Sequence, residues 1–80
     1  MKSLRTDAHK ALRKILVRAR KIRAKLTQKQ LGRRLGRSQP WVSKVETGDL
    51  RLDAIEFAQW CRELGLQPGR VLGRLPLLKR

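Results

Sequence analysis

The sequence predicts an all-α fold of five helices, and three observations predict it. Apolar residues recur in steps of three and four along most of the 80 residues. Glycines and N-capping side chains cut that pattern into five segments. No stretch shows the strict alternation of a half-buried strand. A chain of this length makes one domain, whose modest core needs efficient helix packing or a partner subunit. The domain is expected to span 8–73, with basic terminal extensions at 1–7 and 74–80.

The first helix follows from Ala8, Leu12, Ile15, Leu16, Ala19, Ile22 and Leu26, an apolar stripe running from Asp7 to about Ala24. Either Thr6 or Asp7 can cap its first turn. Its other face carries Lys10, Arg13, Lys14 and Lys21. Thr27 begins the second helix as N-cap, with Gln30 completing a capping box. Leu31 and Leu35 point inward, and Gly36 ends the helix with positive φ. Gly32 sits inside this helix at an intrinsic cost of about 1 kcal/mol against alanine, which is reasonable where the next helix crosses closely.

Ser38 caps the third helix, and Pro40 falls in its first turn, where a missing N–H costs nothing. Val42 and Val45 face inward. Gln39, Pro40, Ser43, Lys44 and Thr47 are left outside, with Trp41 at the margin. Gly48 closes this helix. Asp53 caps a fourth, which ends at Gly65 and carries an apolar stripe through Phe57, Trp60, Cys61 and Leu64. Pro68 opens a short fifth helix through Val71 and Leu72. The tail from Gly73 to Arg80 is either docked on the domain, disordered or part of a dimer surface.

Charge is unevenly placed. The formal net charge is +15, and residues 1–37 hold 14 Lys or Arg against one acid. Residues 38–65 hold three basic and five acidic side chains. Such asymmetry suggests one face that meets a polyanion, with nucleic acid ahead of an anionic membrane surface. One cysteine excludes an internal disulfide and suits a reducing compartment. Neither a metal site nor a cofactor is expected: Cys61 and the single histidine, His9, lie far apart. No apolar run approaches the roughly 20 residues of a membrane span. There is no acid–base pair, phosphate loop or dinucleotide signature, so an enzyme is not expected.

Leu26-Thr27-Gln28, Leu31, Leu35-Gly36, Val42-Ser43-Lys44-Val45-Glu46, Gly48 and Leu64-Gly65 together resemble the Cro and lambda-repressor-like (XRE) helix-turn-helix domain. The resemblance covers about residues 12–73 and places the helix-turn-helix at about 27–47. It implies a five-helix lambda-repressor-like bundle that binds operator DNA, usually as a dimer on palindromic sites. It implies that Gln28 holds the DNA backbone, that Gln39 and Pro40 face bases, and that Ser43 and Lys44 touch bases or phosphate one turn later. Glu46 matches a glutamate that pairs inside the domain with a basic residue of the first helix, where Arg18 and Lys21 both remain as partners. Two departures stand out. Gly32 replaces the usual alanine, and Pro40 offers a base only apolar contact.

The expected DNA-binding set is therefore Gln28, Lys29, Arg37, Ser38, Gln39, Pro40, Trp41, Ser43 and Lys44. Gln39 leads it, because a glutamine can make two hydrogen bonds to adenine. Trp41 either lies on the sugar-phosphate backbone or is a partly buried core residue. Trp60 and Cys61 have core spacing, and His9 reads as an exposed helix residue. The expected function is a sequence-specific transcriptional regulator of double-stranded DNA, a repressor in its leading form, cytoplasmic and associated with the nucleoid. The alternatives are an antitoxin that autorepresses its operon and holds a toxin protein, or a non-specific nucleic-acid binder. A homodimer would use a surface near Leu66, Leu72, Leu75, Leu77 and Leu78.

Overall fold

Thr6, rather than Asp7, starts the first helix: its hydroxyl accepts a hydrogen bond from the His9 backbone N–H at 3.2 Å. The computed structural model describes residues 6–77, and Leu78 and the outer parts of both basic extensions lie outside them. Its helices are α1 (Asp7–Arg18), α2 (Gln28–Leu35), α3 (Gln39–Thr47), α4 (Ala54–Leu64) and α5 (Pro68–Gly73). The described residues contain no strand.

The first helix departs from expectation at its end. Ala19–Arg23 form a π-helical turn, closed by the Ala24 N–H donating to the Ala19 carbonyl at 2.8 Å. Lys25 then breaks the helix at φ 55°, in the left-handed region that a Cβ disfavours. Ile22, expected on the buried stripe, is instead 65% exposed. Arg20 lies four residues after Leu16, about one turn on, and takes the inward position. Ile22 falls roughly on the opposite side.

The α2–α3 unit is set by local chemistry. The Thr27 hydroxyl accepts from the Gln30 N–H at 3.0 Å, and the Gln30 side chain accepts from the Thr27 N–H at 2.9 Å. Gly36 ends α2 at φ 69°. The Ser38 hydroxyl caps α3 by accepting from the Trp41 N–H. Gly32 explains the close approach here. A Cβ on it would stand 2.7 Å from the Arg37 carbonyl oxygen, so the neighbour that demands glycine is the turn backbone.

Every helix contributes to one core. Leu16 and Ala19 meet Leu31, Val42 and Val45, and α4 supplies Phe57, Trp60, Cys61 and Leu64 beneath them. Val71 of α5 closes the cluster. Asp53 caps α4 in a reciprocal box with Glu56. Burying Val42 and Val45 on one side of α3 leaves its other side facing outward at the surface of the molecule.

Candidate nucleic-acid interface

Gln39, Pro40 and Lys44 are exposed along α3, with Ser43 half-buried between them. Lys29 is exposed in the first turn of α2. Side-chain amide, hydroxyl and ammonium groups thus share the outer face of one helix, the groups suited to base edges and phosphates.

Behind this face runs a chain of four polar side chains. Arg20 donates from Nε to Glu46 Oε2 at 2.7 Å and from Nη2 to Oε1 at 3.0 Å. Its Nη1 donates to the Leu26 carbonyl at 2.9 Å. Gln28 Nε2 donates to Glu46 Oε1 at 2.8 Å, and Gln39 Nε2 donates to Gln28 Oε1 at 2.6 Å. A buried ion pair therefore reaches the protein surface through two amides.

This corrects the expected partners of Glu46. Arg18 and Lys21 are both exposed, and Arg20 makes the pair. The signal was present in the sequence: Arg20 continues the Leu12–Leu16 stripe, where a lone cation requires a buried acid. The positions of Gln28 also matter. Both ends of its amide are engaged inside the protein, one on Glu46 and the other on Gln39.

Arg37 sits at the turn between α2 and α3. Its guanidinium carbon lies 4.5 Å from the centre of the Trp41 ring, and its Nη2 donates to Glu56 Oε2 at 2.9 Å. Trp41 is half-buried and packs at the core margin, its ring 5.6 Å from that of Trp60. Glu56 also accepts from the Asp53 N–H, so this one carboxylate joins the turn to the start of α4. The Ser38 hydroxyl is used as a cap.

A family model described as a helix-turn-helix domain matches residues 15–75. A solved structure similar to this chain is the XRE-family like protein from Pseudomonas syringae pv. tomato str. DC3000. It is 42% identical, with a TM-score of 0.80 over 91% of this chain and 88% of that one. The chain belongs to the XRE helix-turn-helix family. It is a DNA-binding regulator of that family, with the all-helical fold that its sequence predicts. No curated protein matches this XRE chain. Among its described residues no helix is long and apolar enough to cross a membrane. No group of three or more His, Cys, Asp or Glu residues there can hold a metal ion.

Proposed function

We propose that this XRE protein is a sequence-specific repressor that binds a palindromic operator as a homodimer and reads adenine with Gln39. The observation that carries the reading is the hydrogen-bond chain from Arg20 to Gln39. An ionised carboxylate beside a guanidinium only accepts, so Gln28 must turn its amide nitrogen toward Glu46. Its oxygen then faces Gln39, which must answer with its own nitrogen. One N–H and the carbonyl oxygen of Gln39 are left for a ligand. That donor–acceptor pair matches adenine, whose major-groove edge offers an N7 acceptor and an N6 donor.

The rest of the face supports the same role. Lys29 and Lys44 are exposed cations flanking Gln39 in sequence, and Arg37 keeps a 45% exposed side chain while stacked on Trp41. Leu72 and Leu77 are 45% and 62% exposed, which suits a dimer surface.

Selection from a random duplex pool at roughly 0.2 M salt tests this reading with little purely electrostatic capture. It should enrich a palindrome with half-sites about one helical turn, ~34 Å, apart. Each half-site should hold adenine at one fixed position, and Gln39→Ala should remove that preference at a cost of about 1–3 kcal/mol. No enrichment, with tight binding at low salt alone, would overturn the proposal.

A further inference from the structure

A second surface, built from none of α2 or α3, has a different chemistry. A cleft of about 470 Å³ opens between α1 and the 66–74 segment. Ile15, Ala19 and Leu66 form its floor, and Lys14, Arg18 and Arg74 stand around it. Ile15 and Leu66 are partly buried against the core, so the floor is fixed by packing. The three cations are exposed, enter neither the Arg20–Glu46 nor the Arg37–Glu56 pair, and face no acid in the lining.

We propose that this cleft docks an acidic amphipathic helix of a partner protein. Lys14 and Arg18 are one helical turn apart, the spacing at which carboxylates on a partner helix can meet both. The apolar floor between them takes that helix's apolar anchor, as in helix-in-groove recognition. Duplex DNA would satisfy the cations, but its apolar groups, the thymine methyls, lie at base edges inside the major groove, behind the phosphates, and do not cover a recessed floor of Ile15 and Leu66. The basic segments that flank the domain do not complement the cleft either: Lys2 and Arg5 before it and Lys79 and Arg80 after it bring like charge. In a second copy, Asp53 and Glu56 are already engaged, at the α4 cap and on Arg37. The charge of the cleft therefore calls for a heterologous acidic partner. This inference stands apart from the reading of Gln39, and it requires a homodimer to use Leu72 and Leu77, which lie outside the cleft lining, and to leave Leu66 open.

The test uses the full chain and a fluorescein-labelled helical peptide of about 18 residues, long enough for several turns. The peptide carries leucine at three- and four-residue steps and glutamate one turn apart. A second peptide has every leucine replaced by serine, with its charge kept. The first is expected to bind, with amide shifts of the protein clustered at Ile15, Arg18 and Leu66. The serine peptide should bind at least about tenfold more weakly, as loss of buried apolar area requires. Combining Lys14→Glu, Arg18→Glu and Arg74→Glu should weaken the first peptide by a similar factor or more. Because all three side chains are exposed, the variant should keep its circular-dichroism spectrum. Equal binding of both peptides, no binding, or shifts confined to other surfaces would overturn the proposal. So would a duplex that shifts these residues more strongly than those of α3.

Discussion

Arg20 carries a charge into the core with only 6% of its surface exposed, and it is tolerated there because each of its three guanidinium nitrogens donates to an acceptor. Glu46 takes two of its N–H groups, and the Leu26 carbonyl takes a third. Glu46→Ala leaves that guanidinium buried without its counter-charge and is expected to cost about 3–5 kcal/mol in urea unfolding. The double variant Arg20→Met with Glu46→Leu should recover most of that loss, since well-packed apolar replacements of buried pairs are often neutral. It should not recover the adenine preference, because Gln28 no longer has an acceptor to orient it. A double variant that regains both would show that Gln39 needs no positioning from behind. Cys61 gives a second residue-scale prediction. Burial pushes its thiol up from 9.0 to about 11. The unfolded chain therefore loses this proton at a lower pH than the folded one, and binds fewer protons between those values. Its contribution to stability is complete below about pH 9 and falls as pH rises toward 11. Melting curves taken from about pH 8 to about pH 11 should fall more steeply for the parent than for Cys61→Ala. Parallel curves would contradict a buried, protonated thiol.

At the scale of the helices, what could be read from the sequence was local. Thr27 with Gln30, Ser38, Asp53 and the glycines at 36, 48 and 65 each set a boundary through atoms within a few residues, and each is found in that role. The π turn at Ala19–Arg23 was not legible in the same way. It surrounds a residue whose partner, Glu46, lies 26 positions on, and no local rule connects the two. The same holds for Gln28 and Gln39: spacing places both near the start of their helices, but only the assembled ion pair decides which way their amides turn. Gly32 lies between these cases. Its cost to the helix was visible, while the neighbour that requires it is a carbonyl in the following turn. Alanine there would gain about 1 kcal/mol of helix propensity. Its Cβ, however, would press to 2.7 Å from the Arg37 oxygen, and a backbone atom cannot rotate away as a side chain can. Gly32→Ala is therefore expected to melt below the parent, and Gly32→Val lower still. A rise in Tm for the alanine variant would mean that the turn yields without loss. Because Ser38 and Gln39 follow that turn directly, the same variant should also blunt site preference.

For the molecule as a whole, the decisive quantity is how a formal charge of +15 divides between surfaces. Part of it is already committed: Arg20 to Glu46, and Arg37 to Glu56 and Trp41. Lys29 follows Gln28 in α2 and Lys44 lies on α3 with Gln39, whereas Lys14, Arg18 and Arg74 surround a cleft that includes no residue of α2 or α3. These groups should respond differently to salt. Each phosphate neutralised adds about −0.9 to the slope of log K against log salt on duplex DNA. Contact with six to ten phosphates would lower affinity by roughly 10³–10⁵ between 50 and 200 mM. Lys29→Ala and Lys44→Ala are each expected to reduce the slope by about one while leaving the preferred sequence unchanged. Gln39→Ala should do the reverse, keeping the slope and losing the preference. Lys14→Ala and Arg74→Ala, on the other surface, should alter neither by much. Titration of one labelled operator across that salt range, repeated for the five variants, separates the contributions. An equal loss of slope at every exposed cation would instead describe a protein that meets DNA as a uniform polycation, with α3 holding no privileged place on the duplex.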